Sequence, residues 1–201
     1  MPEPISLDAL EQFMARQRAN REFTSEPVDD ALVERILAMA TRAPSARNAQ
    51  TWRFVVVRDR ETKSKLGAIF DELGGQMYGA NAPQRTPWGD VPVLVAVCSE
   101  AAFGTDEAGM TALGASIYPA VQNLLLAAQA AGLGTVLTTR AKRREADLRP
   151  LLGLPGAVGV YAIIPMGWPA QKLGRNRRKP VADVTFSEQY GQPWQATAGG
   201  H

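Results

Sequence analysis

Three groups of residues in this 201-residue chain carry side chains whose types and spacing could hold a ligand. The first is Ala43-Pro44-Ser45-Ala46-Arg47-Asn48-Ala49-Gln50-Thr51-Trp52. There Ser45, Asn48 and Gln50 offer donors and acceptors at short spacing, although an ordinary turn rich in turn formers is the better account of the stretch taken alone. The second is Arg16 to Phe23, where Arg18 and Arg21 stand three apart. Two cations near a helix end either complement its dipole or hold a phosphate. The third is a pair of basic runs, Arg140-Ala141-Lys142-Arg143-Arg144 and Arg175-Asn176-Arg177-Arg178-Lys179. Each run is a solvated face or an anion site.

Other chemistries are excluded by what is missing. The one histidine is the last residue, His201, so a Ser-His-Asp triad, a Cys-His pair and a histidine-based metal site are all disfavoured. The one cysteine, Cys98, follows the apolar run Val91 to Val97 and reads as a buried structural thiol; no intrachain disulfide can form. No Gly-rich loop ends in Lys-Ser/Thr, so there is no P-loop. Gly132-Leu133-Gly134 follows a helical pattern and lacks the third glycine, which argues against a Rossmann fingerprint. If the chain is an enzyme, much of its chemistry is expected to belong to a bound cofactor. The net charge of +2, with no stacking aromatics among the basic residues, argues against nucleic acid. No apolar run approaches the roughly 18–20 residues that span a bilayer. The first ten residues lack a basic start and apolar core, so cytoplasmic residence is the expectation.

Periodicity places these stretches on elements. Ser6 caps a first helix with Leu7, Leu10, Phe13 and Met14 at helical spacing. A second helix starts at Pro27-Val28-Asp29, buries Leu32, Ile36, Leu37 and Ala40, and is stopped by Pro44. Residues 52–58 read as a strand, 61–73 as a helix, and 74–90 as a long loop. Residues 91–97 form a strand apolar throughout, hence central. The pattern at 110–131 is a helix apolar nearly all round, which must be buried in the core or against a second subunit. A short strand at 135–138, a helix at 143–152 and a strand at 158–166 follow. The segment from about 170 to 201 reads as an extended tail with two aromatics, Tyr190 and Trp194, and no core of its own. The length favours a single domain, 1–201, of α+β class with a central mixed sheet flanked by helices.

With these pieces in order, the chain resembles the FMN-dependent nitroreductase family from about Leu10 to Trp194. The resemblance rests on the basic segment at 17–21, Ala-Pro-Ser-x-x-Asn-x-Gln-x-Trp at 43–52, Gln122-Asn123-Leu124-Leu125-Leu126-Ala127-Ala128 leading into Gly132-Leu133-Gly134-Thr135, and Gly167-Trp168-Pro169 followed by Arg178-Lys179-Pro180. It implies an α+β homodimer with two FMN sites at the subunit interface and the tail packed on the dimer partner. Arg18 and Arg21, within Gln17-Arg18-Ala19-Asn20-Arg21, match the cations that grip FMN, and Arg178 matches the base that holds its phosphate. Pro44, Ser45 and Asn48 match the segment reaching the flavin from the other subunit, with Arg42 beside them. Leu137, Thr138 and Thr139 match the backbone that runs along the isoalloxazine ring.

The chain departs from the family at Gln17 and Ala19, where an arginine and a serine are usual. It departs again at Asn176, where many members carry a base, and at Thr51, which replaces the usual proline. The implied activity is ping-pong reduction of nitroaromatic or quinone-type acceptors by NADH or NADPH. The alternatives are another reaction on the same fold (flavin fragmentation, dehalogenation or dehydrogenation) or a non-enzymatic flavin- or anion-binding protein. Phe70, Tyr78, Trp88 and Phe103 are either acceptor-pocket walls or core residues.

Overall fold

The computed structural model describes residues 4–100, 103–104 and 106–194; His201 lies outside them. Its centre is β2 (Val93–Glu100), whose first seven residues are all buried. β2 pairs antiparallel with β1 (Trp52–Val57) on one side and with β4 (Val158–Gly167) on the other. The two-residue β3 (Gly134–Thr135) extends the order to β1-β2-β4-β3. Among the described residues all three strand pairings are antiparallel, and the parallel component of the expected mixed sheet is a single bridge from Ala19 to Thr135.

The period-2 alternation of β2 divides the core between two faces. Val93, Val95 and Val97 meet α2 (Asp30–Ala40) and α4 (Glu107–Ala130). Leu94, Ala96 and Cys98 meet α3 (Arg60–Tyr78) and α5 (Glu145–Leu152). Leu113, Ile117 and Leu124 of α4 are wholly buried, and truncating any of them to alanine would cost about 2–5 kcal/mol. α2 buries Val33, Ile36 and Ala40, with Leu32 and Leu37 only partly covered. No helix among the described residues is long and apolar enough to cross a membrane.

Three elements differ from the sequence pattern. α3 runs through Gly74-Gly75 to Tyr78, so the expected loop starts later and contains two 3₁₀ turns, Gly79–Asn81 and Trp88–Asp90. Glycine lowers helix propensity, but here it relieves crowding: a Cβ on Gly67 would lie 2.9 Å from the Trp88 Cβ, and one on Gly74 would lie 2.3 Å from Arg140 Nη1. The strand expected at 135–138 is regular only at 134–135 and returns as one bridge, Thr138 to Ile163. Finally α1 (Leu7–Met14), capped as expected by Ser6 Oγ accepting from Ala9 N–H, buries none of its residues within the chain.

Candidate functional site

The segment after α1 is fastened on both sides. Asn20 N–H donates to Thr135 O at 2.8 Å, and Thr86 N–H donates to Arg21 O at 2.9 Å. Thr86 Oγ1 also accepts from Phe23 N–H at 2.9 Å. Gly134 permits this close approach, since a Cβ there would fall 2.1 Å from Asn20 Nδ2. With the backbone fixed, the alternating side chains of Arg18 and Arg21 emerge in two neighbouring grooves.

The first groove is lined by Arg18, Ala19, Asn176, Arg177 and Arg178. The tail reaches it because Asn176 is tied to the end of α1. Its N–H donates to Ala15 O at 2.7 Å, and its carboxamide Nδ2 donates to Met14 O and Gln17 O, each at 3.2 Å. Through its N–H and its carboxamide, neutral Asn176 thus bonds to three carbonyls at and just beyond the end of α1. That is the work of the residue at the position where the family resemblance leads one to expect a base. Gln17 contributes its carbonyl to this fastening and lines an adjoining groove with Arg18. Arg18 itself donates to Gly174 O at 3.5 Å. Among the described residues Arg18, Arg177 and Arg178 form no salt bridge, so their guanidinium charge faces the groove uncompensated.

The second groove, about 310 Å³, is lined by Arg21, Met77, Tyr78, residues 136–140 and Arg143, with Phe70 and Pro83. Its wall is stiff. Thr138 N–H and Oγ1 both donate to Ile163 O, at 3.2 and 2.6 Å, and Ile163 N–H donates back to Thr138 O at 2.9 Å. Thr138 is thereby buried, while Leu137 and Thr139 on either side are exposed. Phe70 and Trp88 stack with centroids 4.5 Å apart and line a deeper cavity beside Arg21. Phe103, the fourth aromatic singled out, packs instead against the α2–α4 side of the core.

Arg42, Pro44, Ser45 and Asn48 line neither groove. They sit on a turn against α4, where Ser116 Oγ accepts from Ala46 N–H at 3.0 Å and donates to Ala112 O at 2.9 Å. Ser45 Oγ accepts from Gln50 N–H at 3.1 Å. Arg47, Asn48 and Gln50 all have left-handed backbone, with φ of 55°, 53° and 49°. Non-glycine residues rarely occupy that region in such density. Arg42, Pro44 and Asn48 are exposed and Ser45 half-exposed, so one chain brings together Arg18, Ala19 and Arg178, and separately Arg21 with 137–139, but not the turn.

No His, Cys, Asp or Glu cluster able to hold a metal occurs among the described residues. Cys98 is wholly buried, and burial, followed by the nearby Glu145 carboxylate, pushes its thiol up to about 11. It is no nucleophile at neutral pH.

The Nitroreductase family profile matches residues 14–168, spanning the fastened arginine segment, the strained turn, α4 and all four strands. The chain belongs to the Nitroreductase family. A "Putative NADH dehydrogenase/NAD(P)H nitroreductase" of Methanothermobacter thermautotrophicus is 33% identical over 170 residues, covering 84% of this chain and 81% of the relative. A 5,6-dimethylbenzimidazole synthase of Rhodospirillum rubrum is 30% identical over 203 residues, covering 89% and 94%. Among solved structures, a putative nitroreductase from Desulfovibrio desulfuricans in complex with FMN is 28% identical, with a TM-score of 0.69 over 92% of this chain and 99% of the other. Within this nitroreductase-family fold, Arg140, Arg143 and Arg177 are groove residues to which sequence reasoning gave no individual role; their signal was membership of a basic run.

Proposed function

We propose that the chain is an FMN-dependent NAD(P)H oxidoreductase that reduces nitroaromatic or quinone-type acceptors by a ping-pong cycle, and that it works as a homodimer. The observation that carries this reading is the convergence of Arg18 and Ala19 with Arg177 and Arg178 in one groove, which the Ala19–Thr135 bridge ties to the strand leading into the stiff 136–139 wall. The donor set fits a flavin mononucleotide: planar guanidinium forks suit a phosphate, and an apolar edge with exposed backbone suits a flat ring. FMN, when bound, supplies the acceptance of hydride from NAD(P)H and its delivery to an acceptor. In the overall reaction a nitro group takes two electrons and two protons to become nitroso plus water, consuming one NAD(P)H and one solvent proton.

The chain's own residues do the rest. Arg18 and Arg178 neutralise the phosphate. Arg21 sets positive charge beside the ring wall, favouring the reduced, more negative state. Thr138, locked to Ile163, keeps that wall from yielding. The 43–50 turn serves the site of a second copy, where Ser45 and Asn48 face the flavin. Support for a second copy comes from uncovered apolar side chains: Leu7 is 79% exposed, Val181 65% and Tyr190 92%.

The absorbance spectrum of the purified protein, with and without added FMN, then NADH or NADPH, tests this reading. A flavin spectrum bleached by either nucleotide is expected. Protein that stays colourless after FMN is added overturns it. The relative named as a 5,6-dimethylbenzimidazole synthase supports one second reading, a flavoenzyme of the same fold with another reaction. Anaerobic mixing of the reduced protein with a nitroaromatic separates the two, because rapid reoxidation belongs only to the first.

A further inference from the structure

The second groove is lined by three arginines, Arg21, Arg140 and Arg143. Arg140 is built into place there. Its Nη1 donates to Phe70 O at 3.3 Å, and its guanidinium lies 4.2 Å from the Phe70 ring centroid and 5.0 Å from that of Tyr78. The space it occupies exists because residue 74 is glycine. Aromatic faces hold a guanidinium without neutralising it, and among the described residues no carboxylate pairs with Arg140, Arg143 or Arg21. The neighbouring cations differ. Arg85 is paired with Asp71, Lys142 with Glu145, and Arg144 with Glu72 and Asp147. The same short run thus spends two charges on the fold and leaves two at the groove. Met77, Tyr78 and Leu137, each exposed by 40–45%, supply apolar surface beside them.

We infer that the acceptor is a planar aromatic compound bearing a carboxylate, with Arg143 and Arg140 binding the carboxylate while Tyr78 and Leu137 flank the ring. The inference rests on the flavin reading above and narrows it to a substrate class. Arg140, fixed by Phe70 and Gly74, presents its remaining donors in one orientation. Arg143, exposed and without a hydrogen bond to any described residue, closes onto the ligand from the rim. A bidentate, charge-assisted pair of this kind discriminates strongly against a neutral isostere.

The test is calorimetric titration of the flavin-loaded protein with benzoate and with benzamide, which share shape but not charge. Benzoate is expected to bind at least roughly tenfold tighter. In Arg143→Gln the ratio should fall below about twofold while flavin occupancy is unchanged, and in Gly74→Ala, which displaces the Arg140 guanidinium, it should fall part-way. The ratio of kcat/KM for 4-nitrobenzoate over 4-nitrobenzamide should drop in parallel, intrinsic reactivity cancelling between wild type and variant. Equal binding of the two ligands to flavin-loaded wild type, or a preference that survives Arg143→Gln, overturns the inference while leaving the flavin reading intact. Protein that takes up no flavin overturns both, and the spectrum distinguishes that outcome.

Discussion

The two basic runs, 140–144 and 175–179, look alike in sequence and behave differently in the fold. The first precedes α5, whose opening turn carries Glu145 and Asp147. Lys142 lies 3.5 Å from Glu145 and donates to Val160 O at 3.0 Å, and Arg144 reaches both oxygens of Glu72 at 3.0 and 3.1 Å. Half of that run is therefore structural. The second lies in an extended tail with one distant acid, Glu11, 3.9 Å from Arg175. Its fastening is left to neutral Asn176, and Arg177 and Arg178 keep their charge for the groove. The acids that a basic run meets, Glu145 and Asp147 within a helical turn and Glu72 across the fold, decide how much of its charge is spent on the fold.

That contrast can be broken at either end. Arg178→Ala should weaken FMN binding by roughly 10–100-fold, the worth of one or two charge-assisted hydrogen bonds. Arg144→Ala should leave the dissociation constant within about twofold. Equal losses in a flavin-fluorescence titration would erase the distinction between the runs.

Cys98 probes the structural run from beneath, because its thiol lies near Glu145 and Lys142. A thiol raised from 9.0 to about 11 keeps its proton longer in the folded chain than in the unfolded one. Its contribution to stability is therefore complete below pH 9 and is lost as pH rises from 9 towards 11. Wild type should lose denaturant resistance relative to Cys98→Ala across that window; parallel curves would show that the thiol feels neither burial nor Glu145.

The smallest effect is expected for Arg144→Ala on heat stability. Its ion pairs are solvent-exposed, so a fall in Tm of no more than about 3 °C is expected by calorimetry. A larger fall would make the pairing with Glu72 and Asp147 more than a surface feature.

Much of this was legible in the sequence. The apolar run at 91–97 pointed to a central strand, found at Val93–Glu100, and the apolar pattern at 110–131 to a largely buried helix, found at Glu107–Ala130. Arg18 and Arg178 announced one groove through their types and family spacing. Three things were hidden. Gly74-Gly75 reads locally as a break, whereas the helix continues because the bare Cα of Gly74 makes room for Arg140, a tertiary fact. The division of 140–144 into spent and unspent charges depends on Glu72, which lies 72 positions away from Arg144. Asn176 looked like a lost cation, and only its bonds to the end of α1 show it as a tether.

The turn at 45–50 has a consequence for variation under selection. Left-handed backbone at Arg47, Asn48 and Gln50 costs about 1 kcal/mol or more at each non-glycine position, somewhat less for asparagine. Glycine at any of the three would return that energy. Lineages kept only for heat resistance would drift towards glycine at all three positions. On the function proposed above, lineages kept for turnover would surrender Arg47 and Gln50 first and hold Asn48, so the tolerated alphabet at three sites within four residues would separate what the backbone endures from what the side chain does.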